Sequence, residues 1–460
     1  MKIGAHLSIS GGISRAVRQA ARKNLDCLQI FSGSPRTWQI PTIGEEEIKN
    51  FQAITKKYRL SPIFIHAKYL VNPASDDSQT TKRSIESLII DLKIAGKIGA
   101  QGVIFHPRLK NLPALIKNIH FIIKQTPAGT DLILEASAQT KISHLAELVK
   151  RVNLPRVKVC LDTAHVFESG LDLNNSGEIE RLFIVLEKQI GFEKLALIHT
   201  NNSKTSFGSK HDVHADLNKG MIDKSAFFIL TNHVGTKNKP FILETPSLKE
   251  NHWEPTKENI NFLKRAAGRR LGEDFFSQPT IKVAKDLLGK YLVVRRGGRF
   301  QVGRIKETEA YVGQKDLACH AARGKTARTR VMFASPGRLY IYLIYGRYHC
   351  LNVVTEKKGF PAAVLIRAVE PIFGIRGNSD GPGRLCRELE LTRAENDRDI
   401  TKDKEVYIKD VGERPEKIKA LPRVGVDYAG EWAKKKWRFI ASFPILTETR
   451  KKQSPLWKED

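Results

Sequence analysis

Short apolar segments alternate with longer amphipathic segments from Met1 to about Ala267. Each apolar segment has the length of a buried strand rather than of a helix. The segments are Ile3–Leu7, Leu28–Phe31, Ile63–Ile65, Val103–Phe105, Leu132–Leu134, Val157–Leu161, Leu195–Ile198 and Phe241–Leu243. Eight strands separated by helices predict a (β/α)8 TIM barrel, and the length of this region fits one.

One of the intervening segments shows the helical period clearly. Its apolar residues recur at i, i+3, i+4 and i+7, namely Ile85, Leu88, Ile89 and Leu92. We expect this helix to begin at Thr80-Thr81 and to end at Gly96 and Gly99. The last helix of the barrel is predicted over Glu258–Ala267.

The pattern changes after Gly268, where helical periodicity becomes sparse and β-branched and aromatic residues gather in strand-like segments. These segments are Val293–Val294, Arg304–Tyr311, Leu339–Ile344 and Ala363–Ala368. They predict a mixed α+β domain with a curved, mainly antiparallel sheet. The expected domains are therefore residues 1–267 and residues 268–460, as the length of 460 residues also suggests.

The charge of the chain narrows the class of partner. Lys and Arg number 77 against 49 Asp and Glu, a formal net charge of +28, and both halves share the excess. Such a balance favours a polyanion, with nucleic acid as the first candidate, although a basic surface chosen for solubility is the open alternative. Five cysteines without a Cys-x-x-Cys pair, and no signal peptide or membrane span, lead us to expect a cytoplasmic protein, nucleoid-associated if prokaryotic, without membrane contact.

Candidate metal ligands stand at the carboxyl ends of six consecutive predicted strands. Imidazole and carboxylate side chains are what a zinc-type ion accepts, and this face of a barrel carries catalytic residues. Any one of them alone is more often a satisfied polar residue, but together they exceed the ligands of a single ion. The candidates are His66, His106, Glu135, Asp162, His165, His199, Asp212, His214 and Glu244.

The order of these residues along the chain resembles that in the endonuclease IV family of apurinic/apyrimidinic (AP) endonucleases. Two motifs add to the resemblance, Ile-Gly-Ala-His-Leu-Ser-x-x-Gly-Gly at the start and Leu-Glu244-Thr-Pro near the end of this half. The resemblance covers the whole first half and implies three zinc ions, with Glu135 as a catalytic bridging ligand. It assigns His66 and His106 to one ion, bridged by Glu135 to a second that Asp162, His199 and Glu244 complete. It assigns the third ion to His165, Asp212 and His214.

The same resemblance implies contacts to DNA from Arg36, Tyr69 and Leu70, although ordinary loop packing explains these residues equally well. The chain departs from the family at Asn202, at Ala164 and at Asn218-Lys219-Gly220. None of these departures removes a ligand, but they leave the rate and the fit of DNA open. A sugar isomerase or epimerase barrel is the main alternative, and nine ligands argue against it because such barrels commonly bind one or two metal ions.

In the second half, chemistry concentrates on the strand Ile305–Tyr311, where alternation puts Glu307, Glu309 and Tyr311 on one face. Aromatic and basic residues follow, as on surfaces that stack bases and hold phosphates. From composition alone, an aromatic sheet core beside a basic loop is equally possible. The residues concerned are Tyr340, Tyr342, Tyr345, Tyr348, Arg323, Lys325, Arg328, Arg330 and Arg347.

Longer strings settle the resemblance: Glu-Thr-Glu309-Ala-Tyr311, Asp316-x-x-x-His320, Pro336-Gly337-x-Leu-Tyr, Tyr345-Gly-x-Tyr, Asn352-Val, Leu-Ile-Arg367-Ala-x-Glu-Pro and Arg423-Val-Gly-Val. Together they are similar to the alkyladenine (3-methyladenine) DNA glycosylase family, nearly to the C-terminus, with Thr329 as a departure that leaves one loop's geometry open. The family implies base flipping without a cofactor. It makes Tyr345 the wedge in the duplex, Tyr311, His320 and Tyr342 the base pocket, and Asn352 its gate. Glu309 would deprotonate the attacking water, which Arg367 helps to hold.

Taken together, the two resemblances imply a bifunctional base excision repair enzyme that acts on double-stranded DNA with alkylated bases or AP sites. We expect about three zinc ions per chain, no small-molecule cofactor and a monomer. The alternative is a damage-recognition protein in which one domain has lost catalysis and only recruits.

Overall fold

In the computed structural model the chain forms two compact units, Met1–Ala267 and Gly268–Asp460. The structure describes residues 1–246, 255–296, 299–344 and 346–443. Within these ranges no helix is both long and apolar enough to cross a membrane.

The first unit is a closed barrel of eight parallel strands, as the alternating pattern predicted. The strands are β1 Lys2–His6, β2 Cys27–Phe31, β3 Ile63–His66, β4 Gly102–Phe105, β5 Asp131–Glu135, β6 Val157–Asp162, β7 Leu195–His199 and β10 Pro240–Leu243. Around the barrel they follow the order β1-β10-β7-β6-β5-β4-β3-β2. A two-stranded ribbon, β8 Asn202–Ser203 with β9 His214–Ala215, lies between β7 and β10 in the chain.

Helices connect the strands. They are α1 Ile13–Arg22, α2 Glu45–Tyr58, α3 Ser78–Ile98, α4 Leu112–Lys124, α5 Ile142–Val152, α6 Thr163–Glu168, α7 Ser176–Val185, α8 Lys224–Asn232 and α9 Lys257–Ala267. Helix α3 begins before the predicted Thr80-Thr81 because the Asp77 carboxylate accepts hydrogen bonds from the backbone N–H groups of Gln79 and Thr80. Gly96 lies inside this helix, and Gly99 ends it in a left-handed conformation, with φ of 76°.

The second unit is built on a nine-stranded sheet in which every strand pair of the described residues is antiparallel. The strands are β11 Arg269–Arg270, β12 Tyr291–Arg296, β13 Arg299–Val312, β14 Leu339–Ile344, β15 Tyr348–Val354, β16 Ala362–Phe373, β17 Val406–Asp410, β18 Lys417–Leu421 and β19 Arg438–Ser442. Three short helices accompany them: α10 Glu273–Phe276, α11 Thr280–Asp286 and α12 Pro382–Glu388. The sheet is antiparallel, as expected, and register shifts beside Glu307 interrupt the ladder of the long strand β13.

Candidate active sites

The barrel brings all nine predicted metal ligands to one end. Strands β3, β5, β6 and β7 end in ligand residues, and ligands directly follow β4 and β10, so parallel pairing places them at the same rim. Strand β9 begins with His214, and His165 lies in α6, which follows β6 at once. The register of the strands brings these side chains together. In sequence they are up to 178 residues apart, the separation between His66 and Glu244.

The first group of ligand atoms lies on His66, His106 and Glu135, within 4.8 Å of one another. The Nε2 atoms of His66 and His106 are 3.7 and 3.6 Å from Glu135 Oε2. Both distances are too long for hydrogen bonds, and they leave room for a cation between the three side chains.

The second group consists of Glu135, Asp162, His199 and Glu244, again within 4.8 Å. His199 Nδ1 lies 2.9 Å from Glu135 Oε1, 3.3 Å from Glu244 Oε2 and 3.9 Å from Asp162 Oδ2. Glu135 therefore uses one carboxylate oxygen toward each of the first two groups.

The third group is arranged around Asp212. Its Oδ2 is 3.2 Å from His165 Nε2, and its Oδ1 is 3.3 Å from His214 Nε2. His165 is also 3.3 Å from Glu135 Oε1 through Nδ1, so it links this group to the other two. The Asp212 side chain keeps 59% of its surface exposed, which leaves this end of the cluster open to solvent.

Hydrogen bonds outside the cluster fix which ring nitrogen faces inward. His66 donates from Nδ1 to the Ala67 carbonyl at 2.7 Å, and His214 donates from Nδ1 to the Glu244 carbonyl at 3.1 Å. His199 donates from Nε2 to the Gln29 side-chain oxygen at 2.7 Å. In each case the other nitrogen points at carboxylates, an arrangement typical of metal-ligating histidines.

Burial and neighbouring charges set the protonation of the cluster without metal. Burial alone would raise the pKa of Glu135, but His199 and His106 outweigh it and hold that pKa well below its ordinary value. Burial lowers the pKa of His106 to about 4. For His165, burial opposes protonation, and Asp162 and Asp212 overcome it, so its pKa is raised well above the ordinary value.

The side chains present fit a divalent cation cluster. Among the described residues, Glu135 Oε2 and His106 Nδ1 are buried and have no hydrogen-bond partner. Such atoms are rare in folded proteins unless a ligand or ion completes them. Imidazole nitrogen and carboxylate oxygen in groups of three or four match zinc in particular.

Three residues of this site were not predicted from the sequence. His6, at the end of β1, is buried, and its Nδ1 lies 3.1 Å from Glu244 Oε1. Gln29 contacts both His199 and Glu244 and is fully buried. Glu168, at the end of α6, offers a carboxylate oxygen within 4.8 Å of ligand atoms of His165 and Asp212. A histidine inside the Ile-Gly-Ala-His motif and a carboxylate three residues after a ligand were the available signals.

The predicted DNA-contact residues of the barrel lie on two loops that touch. Arg36 is exposed on the β2–α2 loop, and Tyr69, with 46% of its surface exposed, follows β3 beside the half-buried Leu70. The Tyr69 backbone N–H donates to the Pro35 carbonyl at 3.2 Å. Lys68 donates from Nζ to the carbonyls of Thr37, at 3.2 Å, and Gln39, so the two loops are tied together.

Two departures from the family pattern prove to be one structural unit. Asn202 donates from Nδ2 to the carbonyls of Leu217 and Ile222, both at 2.9 Å, and accepts from the Ile222 N–H at 2.8 Å. It therefore holds both ends of the Asn218-Lys219-Gly220 loop. A carboxylate at position 202 could not donate to those carbonyls, so the altered loop and Asn202 belong together. At Ala164, the backbone N–H donates to Asp162 Oδ1 at 2.7 Å, independently of the side chain.

In the second unit the candidate base Glu309 is fully buried and held on both oxygens. Its Oε2 accepts from the Tyr311 hydroxyl at 2.8 Å, and its Oε1 accepts from the Val424 backbone N–H at 3.0 Å. Arg367 Nη1 is 3.3 Å from Oε1, and Arg367 Nε donates to Glu307 at 2.8 Å. Burial and Glu309 raise the pKa of Tyr311 well above its ordinary value, so this hydroxyl stays a donor.

The predicted pocket residues line one cavity of about 480 Å³, which also includes Glu309 and Arg367. The rings of His320 and Tyr342 meet edge to face with centroids 4.5 Å apart. Burial, with Arg328 and Arg323 nearby, lowers the pKa of His320 to about 4, so the imidazole is neutral at physiological pH. Asn352 is buried and donates to the carbonyls of Tyr340 and Cys350, at 3.0 and 3.2 Å. The cavity thus combines aromatic rings with one buried carboxylate, as many small-molecule sites do.

Two supports of this pocket were not predicted as site residues. Arg423 is buried against Asp316, with Nη–Oδ distances of 2.6 and 2.9 Å, and its guanidinium lies 4.9 Å from the Tyr311 ring centroid. The Val424 N–H acts through the backbone, which side-chain patterns do not reveal. Thr329 donates to the Gly324 carbonyl at 2.9 Å and so closes a local turn. Tyr345, the predicted wedge, lies outside the described residues.

Comparison with known proteins supports each half separately. A family model described as "Xylose isomerase-like TIM barrel" matches residues 17–266, and one described as "Methylpurine-DNA glycosylase (MPG)" matches residues 274–443. A protein of Methanocella arvoryzae named as a 3-methyladenine DNA glycosylase is 52% identical over 182 residues, which span 37% of this chain and 90% of that protein. A protein of the same name from Myxococcus xanthus is 52% identical over 171 residues, 36% of this chain and 88% of that protein. The crystal structure of endonuclease IV from Thermus thermophilus superposes with a TM-score of 0.52 at 27% identity and covers 58% of this chain and 98% of that one.

Proposed function

Because the chain belongs to the xylose isomerase-like TIM barrel family in its first half and to the methylpurine-DNA glycosylase family in its second, we propose that it is a bifunctional enzyme of DNA base excision repair. Its second unit removes alkylated or deaminated purines from double-stranded DNA and leaves AP sites. Its first unit then cuts the backbone 5′ to each AP site, which yields a 3′-hydroxyl and a 5′-deoxyribose phosphate. The observation that carries the proposal is the convergence of nine imidazole and carboxylate side chains at the barrel rim, on the same chain as the Glu309 pocket.

The barrel holds about three zinc ions in this proposal. When bound, zinc lowers the pKa of water toward neutrality and stabilises negative charge on a phosphate during in-line displacement. The protein's part is to hold the ligands: Glu135 spans two groups, and Gln29 and the Ala67 and Glu244 carbonyls orient the three histidines that donate to them. Arg36, Tyr69 and Leu70 contact the DNA around the AP site.

In the second unit, Tyr311, His320 and Tyr342 receive the flipped base, while Tyr345 fills the gap in the duplex and Asn352 closes the pocket. Glu309 takes a proton from water, whose oxygen forms a bond to C1′ as the N-glycosidic bond breaks. The bonding electrons leave with the base, which takes up a proton unless alkylation has already made it cationic. Arg367 and the Val424 N–H hold the Glu309 carboxylate in place for this step.

Two duplexes test the proposal most directly. One contains a tetrahydrofuran analogue of an AP site, and the other contains hypoxanthine. We expect the protein to nick the first only when zinc is present, and to release hypoxanthine from the second with or without a chelator. Binding of either duplex without reaction in zinc-loaded protein would instead support a damage-recognition protein in which one unit only recruits.

A further inference from the structure

Glu168 is a buried carboxylate beside the third group of ligands. It is the last residue of α6, and none of its surface is exposed. It follows His165 by three residues, so the two side chains project from the same face of the helix, one turn apart. Paired His and Glu side chains at this spacing are a known way for one helix to supply two ligands to an ion.

The two oxygens of Glu168 have different surroundings. Oε1 accepts hydrogen bonds from the Ser203 hydroxyl at 2.7 Å, the Thr205 hydroxyl at 3.3 Å and the Val213 N–H at 3.4 Å. Oε2 is buried and has no hydrogen-bond partner in the described part of the chain. A buried carboxylate oxygen without a partner is strongly destabilising, so a cation next to it would offset a real deficit.

The Glu168 carboxylate also lies close to the third group. One of its oxygens lies within 4.8 Å of ligand atoms on both His165 and Asp212, and Asp212 in turn contacts His214 at 3.3 Å. We propose that Glu168 is a fourth protein ligand of the ion held by His165, Asp212 and His214. This inference rests on the proposed function, because it presumes that an ion occupies the third group.

A fourth protein ligand changes what the third ion does. Zinc sites with three protein ligands keep a position open for water or substrate, whereas sites with four are closed and structural. If all four side chains held this ion, they would retain it more firmly than three would. A substrate phosphate could then bind where one of them yielded, and the exposed Asp212 carboxylate would be the best placed to do so.

A simpler role for Glu168 is to anchor the loop that carries Asp212. The Val213 N–H donates to its side chain, and the Lys210 N–H donates to its backbone carbonyl at 3.0 Å. A loop anchor needs only the oxygen that accepts hydrogen bonds, and glutamine supplies one. A metal ligand needs the charged carboxylate, so Glu168→Gln separates the two roles.

The experiment measures zinc affinity in the full chain. Metal is removed by dialysis against a chelator, zinc is added back in competition with a chromogenic chelator, and thermal unfolding and circular dichroism check the fold. We compare the parent with Glu168→Gln, with Asp212→Asn as a variant of an expected ligand, and with Ser203→Ala. The last variant removes a hydrogen bond to Glu168 but leaves its carboxylate.

We expect three zinc sites of similar affinity pattern in the parent and in Ser203→Ala. In Glu168→Gln we expect two sites of parental affinity and a third whose zinc affinity is weakened by about tenfold or more, the scale seen when a metal site loses a supporting side chain. In cobalt-loaded protein, inorganic phosphate should perturb the visible spectrum more in Glu168→Gln than in the parent, because a position has opened. If Asp212→Asn loses the third site while Glu168→Gln keeps parental affinity, Glu168 is only a loop anchor and the inference fails. If the parent itself takes up no zinc, the zinc-dependent function proposed for the barrel fails with it.

Discussion

Glu135 in the barrel and Glu309 in the second unit are both fully buried carboxylates, yet the chain surrounds them differently. Glu135 faces the imidazoles of His199 and His165 at 2.9 and 3.3 Å and shares its cluster with two further carboxylates, those of Asp162 and Glu244. Glu309 faces a guanidinium, a hydroxyl and a backbone N–H, all supplied by the chain itself. The first site therefore gathers groups that could hold metal ions, whereas in the second the chain's own donors surround the carboxylate.

The two surroundings suit the two different reactions that we propose for the chain. A phosphodiester displacement builds negative charge, which bound metal ions stabilise. Breaking an N-glycosidic bond builds positive charge on the sugar, which a nearby carboxylate can stabilise.

The largest effect should come from exchanging the two carboxylates for neutral residues. Glu309→Gln should lower base release by about 100-fold to 10,000-fold, the usual contribution of a general base, and leave incision of AP sites unchanged. Glu135→Ala should do the reverse, because it removes the ligand shared by two groups. Single-turnover assays on hypoxanthine and tetrahydrofuran duplexes measure both reactions. Parental base release by Glu309→Gln would contradict its role as the base.

The next prediction concerns the free energy of unfolding. It tests whether the second unit depends on its buried arginine side chains. Arg423→Met leaves the Asp316 carboxylate buried without its partner, so we expect the unit to lose about 3–5 kcal/mol of unfolding free energy. Arg398→Met is the matched control, since its pair with Glu405 is 33% and 52% exposed, and a loss below about 1 kcal/mol is expected. Denaturant unfolding monitored with and without chelator separates the two units. Equal losses in the two variants would refute the reasoning.

More of the first unit than of the second could be predicted from the sequence. In the barrel, strand periodicity and the residue at each strand end predicted the fold and the nine ligands that the structure brings together. Gln29 was not predicted because it lies within the predicted strand Leu28–Phe31, and an amide side chain there does not indicate a metal site. Its importance arises from register, which places it against His199 and Glu244 across the barrel.

In the second unit the sequence predicted four strands, and the structure contains nine. The missed strand Lys417–Leu421 is mostly exposed, and its polar–apolar alternation covers only the four residues from Lys417 to Ala420. The strand Val406–Asp410 offers only three consecutive apolar residues, Val406 to Ile408, before the charged Lys409 and Asp410. Pairing with neighbours, rather than local propensity, decides both.

A smaller effect should follow from pH in the second unit. The folded pKa of His320 is about 4, below the 6.5 of an unfolded histidine. The unfolded chain therefore binds more protons between these values, and the unit should lose stability as pH falls from about 7 to 5. His320→Gln should reduce that loss, because glutamine does not titrate. Calorimetry of chelator-treated protein at the two pH values, with the barrel transition as internal reference, measures it. An unchanged pH dependence in the variant would contradict the neutral, buried imidazole.

The smallest expected effect lies at Lys68, whose Nζ ties the loop with Arg36 to the loop with Tyr69. Lys68 is only 5% exposed, so it cannot contact DNA directly, and it acts by positioning. Lys68→Met keeps the apolar stem but frees the Thr37 and Gln39 carbonyls. We expect AP-site duplex binding to weaken by about 1 kcal/mol, or roughly fivefold in Kd, with little change in the rate of incision at saturating DNA.

Lys124→Met is the matched control for this variant. Lys124 lies in the last turn of α4, which runs back toward the amino ends of the barrel strands, away from the ligand rim. The control removes the same charge, so a general electrostatic loss would weaken both variants equally. A lower incision rate at saturating DNA in Lys68→Met would show that the loops also shape the metal site. Equal affinity of Lys68→Met and parent would mean that the two loops hold their DNA-facing side chains in place without this tie. The DNA-contact loops of the barrel would then be held by other contacts of the chain, as the Glu309 carboxylate is. The two units would differ only in their expected need for metal ions.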